Sequence, residues 1–229
     1  MLSTVGDDAY EQFAGRLDDV GIHHDITLGV RTTSIGIRLD AGGDRSFYNF
    51  DPGGLREWRP SLSQKATIAD ADLVVLTRYQ EIAPLFRALL RLPTRGKRVV
   101  DFADISSGSS ITGDINLTET MADHQNADVC IFGIPADADT LNAQLTDLAN
   151  VHHGLFVITQ GEGGAFAIED GKTYTQAAVP VPEVIDTTGA GDCFAAHFLS
   201  EWSNSSNIQR ALKRGCTAAS KVIQQIGAN

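Results

Sequence analysis

The sequence predicts a three-layer α/β domain with a mainly parallel sheet, preceded by a small β lid. Two observations carry this. After Pro60, short apolar runs of strand length alternate with helix-length segments, and such repetition makes a parallel sheet covered by helices. Before Pro60 the period is two, with polar turn residues between the runs, which is the pattern of a hairpin with one apolar face. A chain of 229 residues is long enough for one substantial core, so a single domain over 1–229 is expected, with a partial lid at about 25–50.

Taken in order, residues 2–5 read as the end of a strand. Asp7 and Asp8 stand where they can cap a helix that places Tyr10, Phe13 and Leu17 on one face before Gly21. Beyond Asp25, Ile35, Ile37 and Leu39 alternate with Ser34, Gly36 and Arg38. Residues 41–44 are turn material, and the strand pattern resumes at Phe47 and runs to Asp51-Pro52-Gly53-Gly54. Buried-type strands follow at 73–76, 99–102, 129–132 and 155–158, with helices over 81–92, stopped by Pro93, and over 137–150. Segments 165–168 and 172–176 flank Asp170-Gly171, a pair that favours the positive φ of a tight hairpin turn. Helices at 190 to about 202 and about 207 to 226 end the chain.

Composition narrows the function. Eighteen Lys and Arg against 29 Asp and Glu give a formal charge of −11, with no basic run able to neutralise a nucleic-acid backbone. No apolar stretch is long enough to cross a bilayer, and the first residues lack the basic and apolar regions of a secretion signal. Cys130, Cys193 and Cys216 form neither a disulfide framework nor a metal spacing. The expected location is the cytoplasm, and the expected partner a small molecule.

The chemistry concentrates in Val184-Ile185-Asp186-Thr187-Thr188-Gly189-Ala190-Gly191-Asp192-Cys193-Phe194. A strand end passes through a turn of small residues into a helix. Small residues let backbone approach an anion, and the N–H groups of Gly189, Ala190, Gly191 and Asp192 would point out of a helix N-terminus whose partial positive charge favours phosphate. Asp192 repels phosphate, so at this turn it is better suited to accept the proton of an attacking hydroxyl. The plainer alternative, a capping Asp and turn glycines, does not account for the whole motif.

Asp-Thr-Thr-Gly-Ala-Gly-Asp-Cys-Phe resembles the C-terminal motif of the ribokinase-like sugar kinases, the PfkB carbohydrate kinase family. The resemblance implies Gly189, Ala190 and Gly191 as the anion hole, Asp192 as the catalytic base, and Asp186 and Thr187 near the phosphates of ATP and Mg²⁺. Thr159-Gln160-Gly161-Glu162-Gly163-Gly164 resembles the family's nucleotide loop, which puts Thr159, Gly161 and Gly164 at the cofactor. Residues 217–222, with Ala219, resemble its adenine-side helix, and the adenine is expected near 179–184. Val100-Asp101-Phe102-Ala103-Asp104 and Ile223-Gln224-Gln225-Ile226-Gly227-Ala228 are most similar to the fructoselysine 6-kinase branch.

Two departures from the family pattern bear on function. Where the family has Asn-x-x-Glu, this chain has Gly133-Ile134-Pro135-Ala136-Asp137, so only Asp137 offers a partial replacement and no metal ligands are assigned. The family's first strand and its Gly-Gly-x-x-x-Asn segment precede the point where this chain starts. The expectation is therefore that some sugar-binding residues are missing, that these 229 residues phosphorylate sugar weakly, and that they associate as a homodimer through the gap. Arg31, Thr33, Tyr48, Asn49 and Arg78 are the remaining candidates for the acceptor.

Other signals fail. Gly171-Lys172-Thr173 suggests a Walker loop, but the glycine required five positions earlier is Phe166. Gly161-Glu162-Gly163-Gly164 runs into a strand, whereas a dinucleotide fingerprint opens a helix. The pairs His23-His24 and His152-His153 point in diverging directions and are expected to face solvent. Cys193 has no evident His partner and is expected to pack against its neighbours. The reading is thus an ATP-dependent carbohydrate kinase. Its rivals are a noncatalytic ATP-binding homologue and a nucleoside kinase.

Overall fold

A computed structural model describes residues 1–39, 45–102, 109–110, 113–114 and 122–227. The chain forms two compact units, one of residues 1–98 with 107–126 and one of residues 99–106 with 127–229.

In the first unit, β1 (Leu2–Gly6) leads through α1 (Tyr10–Asp19) to β2 (Asp25–Gly29), which pairs with β1 in parallel from Leu2↔Asp25 to Gly6↔Gly29. The expected hairpin is present as β3 (Ser34–Leu39) and β4 (Arg45–Asp51), antiparallel. Residues 25–29 stand outside it and pair with β1 instead. The turn at 41–44 and the side chains of Ile37, Leu39 and Phe47 lie outside the described residues. Nor do Asp7 and Asp8 cap α1. Ala9 is the N-cap and makes no side-chain bond, while the Asp8 carboxylate accepts hydrogen bonds from the Thr32 N–H (3.0 Å) and hydroxyl (2.6 Å). Those bonds hold the Asp8 carboxyl below its usual range.

The sequence reading contained no helix at 62–70, yet α2 (Leu62–Asp70) is there. Ser61 caps it, accepting from the Gln64 N–H at 3.1 Å while the Gln64 side chain accepts from the Ser61 N–H at 2.9 Å. The fully buried Gln64 side chain then donates to the Asp25 carbonyl and the Thr27 hydroxyl, tying α2 to β2. After β5 (Leu73–Arg78) comes a 3₁₀ turn (Gln80–Ile82), and α3 (Ala83–Leu90) starts later and stops earlier than the expected 81–92. Pro84 sits in its first turn, where a missing N–H is tolerated but from which an α-helix cannot extend upstream. A pair of two-residue strands, β7 (Ser109–Ser110) and β8 (Gly113–Asp114), completes the unit after β6 (Lys97–Phe102).

Arg78 is fully buried. Its Nε donates to Asp123 Oδ2 at 3.4 Å and its Nη2 to Gln80 Oε1 at 2.9 Å, and Arg87 donates to both oxygens of the same Asp123 (2.8 and 3.2 Å). A guanidinium so enclosed cannot meet an acceptor, which corrects its candidacy. Arg31 is paired with Asp51, and Thr33 donates to the Pro52 carbonyl. Tyr48 is exposed, and Asn49, also exposed, has a left-handed φ of 49°.

The second unit is built on the strand order β12-β11-β10-β9-β6. β9 (Val129–Gly133) pairs in parallel with β6 and β10 (Leu155–Thr159), and the hairpin of β11 (Ala165–Glu169) and β12 (Lys172–Gln176) adds two antiparallel strands. Residues 129–132 and 155–158 are all buried, so both faces of the sheet are covered, as a continuous apolar strand requires. Phe102 stacks on Phe132 with centroids 4.5 Å apart, and Phe156 lies tilted against Phe132 at 5.3 Å, so the rings pack across three strands. Asp170 and Gly171 make the hairpin turn with φ of 49° and 72°, as expected. Three helices complete the unit: α4 (Asp139–Val151), α5 (Ala190–Ser205) and α6 (Ile208–Val222).

Candidate active site

The strand β10 ends at Thr159 and the chain turns at once through a 3₁₀ segment, Gly161–Gly163, into β11. Gly164 is needed there: its φ is 87°, and a Cβ would lie 2.3 Å from the Gln176 carbonyl and 2.6 Å from the Ala178 N–H. The backbone of 176–178 therefore passes directly against this turn. It continues through Val179, Pro180 and Val181 along an apolar wall.

At the opposite wall stands α6. Ala219, Ser220, Cys216 and Ile223 close a cavity of about 490 Å³ together with Thr159, Gly161, Glu162, Gly164, Val179, Pro180, Val181 and Val184, and with Thr187, Ala190, Gly191 and Phe194 at one end. All of these belong to one unit. Volume and lining fall in the ordinary range of small-molecule sites, mostly apolar with a few convergent polar groups.

The end formed by Ala190 and Gly191 is the N-terminus of α5. Gly189 is the N-cap, with a left-handed φ of 77° that favours glycine, and no side chain caps the helix. Ala190 N–H turns back to the Thr187 carbonyl at 3.2 Å. The N–H groups of Gly191 and Asp192 belong to the first turn, where no intrahelical acceptor exists. A Cβ built on Gly191 meets nothing within 4 Å, so the space before this backbone is open. An uncapped helix start facing a cavity attracts an anion.

Asp192 is the third residue of α5 and is exposed. Asp101 on β6 is the other carboxylate here. Burial, with the Asp192 charge as the second cause, pushes it up to about 6. The sequence reading gave Asp101 no chemistry, although one acidic residue inside Val99-Val100-Asp101-Phe102 is itself a signal. Asp186, half-buried, does not line the cavity. Its Oδ1 accepts from the Thr188 N–H (2.8 Å) and hydroxyl (2.6 Å), and its Oδ2 from the Gly227 N–H (3.0 Å).

Of the ten predicted residues, Thr159, Gly161, Gly164, Thr187, Ala190, Gly191 and Ala219 thus line one cavity. Gly189 and Asp192 flank it in the same turn, and Asp186 lies behind that turn. Asp137 is exposed ahead of α4 and does not line it. Among the described residues no group of three His, Cys, Asp or Glu side chains is placed to hold a metal.

Cys193 does have a histidine nearby. His197, one turn along α5, places Nδ1 3.7 Å from its sulfur and 2.9 Å from its carbonyl oxygen. The thiol is only partly buried, and burial and the Asp192 charge push it up, the wrong direction for a thiolate nucleophile. His24 and His152 are also partly buried, contrary to expectation, and His152 sits edge-on to Phe156. Among the described residues no helix is long and apolar enough to cross a membrane.

Residues 119–229 match the model of the pfkB family carbohydrate kinases. The chain is 30% identical over 232 residues to the fructoselysine 6-kinase of Escherichia coli K12, covering 99% of this chain and 83% of that protein. A shorter match, 36% identical over 87 residues, links 37% of this chain to 25% of adenosine kinase 1 of Arabidopsis thaliana. Among solved structures, a ribokinase from Thermotoga maritima superposes with a TM-score of 0.77 at 18% identity, over 99% of this chain and 75% of that one. An adenosine kinase from Sinorhizobium meliloti gives 0.76 at 22%, over 98% and 72%.

Proposed function

This chain belongs to the pfkB family of carbohydrate kinases, and from that premise we propose that it transfers the γ-phosphoryl group of ATP to a hydroxyl of a sugar derivative, with Asp192 as the base. The observation that carries this reading is that one cavity has walls that are apolar at Val179, Pro180, Val181 and Ile223 and an end that is the open N-terminus of α5. Adenine is apolar on its faces and suits the first; the phosphates suit the second.

In this reading the acceptor hydroxyl donates a hydrogen bond to the Asp192 carboxylate. As its oxygen attacks the γ-phosphorus and the bond to ADP breaks, the proton passes to Asp192. The N–H groups of Gly191 and Asp192 meet the charge on the transferring oxygens, and Thr187 stands beside the phosphates. Asp192 faces solvent, so an incoming hydroxyl can reach it. Mg²⁺ neutralises phosphate charge in such transfers and needs only one or two protein carboxylates. The ion would accompany ATP and supply that neutralisation of charge.

For the acceptor we propose a fructosamine amino acid, because the similarity to the fructoselysine 6-kinase runs along the whole chain. We place the protein in the cytoplasm, where ATP is abundant and its three free thiols stay reduced. A coupled ATP-consumption assay with fructoselysine, free ketoses, aldoses and nucleosides tests the reading. Turnover on fructoselysine above the others is expected. ATP binding without turnover on any of them overturns it in favour of a noncatalytic ATP-binding protein.

A further inference from the structure

The last two helices form a hairpin. Ser206, with a left-handed φ of 53°, and Asn207, the N-cap of α6, reverse the chain between them, and α5 and α6 then pack along each other. Their facing stripes leave a groove of about 730 Å³. Cys193, His197 and Glu201 line it from α5 at intervals of four, and Arg210, Lys213, Arg214 and Lys221 line it from α6, on one helix face. All belong to the unit that holds the cavity described above, and none lines that cavity. In a chain of formal charge −11, four cations against one carboxylate give this groove +3. The carboxylate organises the cations instead of cancelling them. Glu201 is buried, and its Oε1 takes Arg210 Nη2 at 3.0 Å while its Oε2 takes Arg214 Nη1 at 3.1 Å. Each guanidinium uses one of its five N–H groups on that pair, so both are held with donors to spare. Lys213 and Lys221 have no anionic partner among the described residues. Lys221 lies in the last turn of α6, where a cation suits the helix dipole; Lys213, in mid-helix, has no such reason to be there.

We propose that this groove is a second anion site, apart from the helix start, and that it takes a small molecule carrying at least two phosphate or carboxylate groups. Lys213 and Lys221 stand about 12 Å apart along α6 at 1.5 Å per residue. One small anion cannot meet both, whereas a molecule with anionic groups at its two ends can. Between the cations, Cys193, Ala218 and Val222 give an uncharged floor, which suits an uncharged body between those ends. Arg210 and Arg214 supply planar donors of the kind that hold phosphate and carboxylate by paired bonds. Cys193 directly follows Asp192. On the phosphotransfer reading, an occupant of the groove therefore adds negative charge beside the helix whose first turn receives the phosphates of ATP. Like charges repel, so occupancy of the groove weakens ATP binding, and ATP weakens the occupant by the same factor.

Amide chemical shifts of the full chain, read without nucleotide, test the site with pyrophosphate and with citrate as probes. Sodium chloride at matched ionic strength is the control. Saturable shifts at residues 210–221 are expected with at least one probe, and the tighter of the two shows whether phosphate or carboxylate is the better group. Lys213→Gln/Lys221→Gln should weaken that binding by about tenfold or more, since two charge-assisted contacts go. Both side chains are exposed, so the fold tolerates the change. Gly191→Val, which fills the helix start, should leave groove binding within about twofold, as independent sites do. At fixed free Mg²⁺, a saturating probe should weaken ATP about threefold to tenfold in the parent, and less in the lysine variant, where only competition at the helix start remains. No saturable shift with either probe, or shifts that chloride reproduces, overturns the site. So do groove shifts lost in Gly191→Val but kept in the lysine variant, and so does tighter binding of a short oligonucleotide than of either probe. A probe bound in the groove with the same effect on ATP in parent and lysine variant overturns the link to the nucleotide. Groove shifts as expected in a chain that binds no ATP count against the kinase reading and leave the anion site standing.

Discussion

The carboxylate of Asp101, set in the strand β6, lies within the electrostatic reach of Asp192 in the first turn of α5, and the two charges oppose each other. Burial raises Asp101 first, and Asp192 raises it further, to about 6. No hydrogen bond to the Asp101 carboxylate offsets this among the described residues. The strand that ends at the site therefore carries a group that is half-neutral in mildly acidic solution.

From this follows a pH dependence of stability. Below about pH 4 Asp101 is protonated in both the folded and the unfolded chain and costs nothing. Between about pH 4 and pH 6 the unfolded chain ionises first, so stability falls as pH rises, by up to about 3 kcal/mol at 1.36 kcal/mol per unit. Asp101→Asn should remove this slope. Urea titrations at pH 4.5 and 7.5 should show the variant gaining more on the parent at the higher pH, and equal differences at both would show that Asp101 is not raised in the folded chain.

Asp192→Asn keeps the size of the side chain and its place in α5 but removes the proton acceptor. Turnover should fall by about a hundredfold or more, the scale of general-base loss, while ATP affinity stays close to that of the parent. Steady-state kinetics with an ATP titration separates the two. In the same variant Asp101 should titrate lower, since one cause of its shift is gone, and carboxyl chemical shifts across a pH series measure that directly.

The contrast between Asp192 and Asp186 marks how far a sequence reaches. Strands at 129–132 and 155–158 are legible because four consecutive apolar residues can only be buried on both faces. The anion-binding turn is legible because Gly189, Ala190 and Gly191 are adjacent and precede a helix. Parallel pairing of β1 with β2 leaves no turn signal, so residues 25–29 read as part of the hairpin that follows them. Helix α2 buries only Gln64 and Ile68 and so lacks an apolar stripe, although Ser61-x-x-Gln64 spells a capping box. The bond from Gly227 to Asp186 joins residues 41 apart through a backbone donor that any residue but proline has, and no pattern announces it.

Gly191→Val and Lys172→Ala separate the helix-start anion site from the Walker-like reading of Gly171-Lys172-Thr173. The space before Gly191 is open, so a valine there fits the fold and fills the place of a phosphate. Lys172 lies on the hairpin with its ammonium 4.8 Å from the Tyr174 ring centre, a contact worth roughly 0.5–1 kcal/mol at an exposed site. Calorimetry with ATP should show binding lost in the first variant and retained in the second. Equal loss in both would move the phosphates to the hairpin.

The ion cluster around Asp123 should respond quite differently from the site residues. Arg78 is fully buried and Asp123 nearly so, and the single carboxylate takes hydrogen bonds from both Arg78 and Arg87. Removing this carboxylate takes an acceptor from both arginines at once, so it matters more than either arginine alone. Asp123→Asn keeps the shape and one acceptor but takes a charged acceptor from the buried guanidinium of Arg78, and breaking a buried pair in this way costs roughly 3–5 kcal/mol. Arg87→Met, by contrast, removes the more exposed cation and leaves the Arg78–Asp123 pair in place, so its cost should be well under that of Asp123→Asn. Denaturant midpoints for the two variants decide the order. If Arg87→Met proves the more damaging, the carboxylate is held in place chiefly by Arg87 and the buried Arg78 is satisfied by Gln80 and its other neighbours.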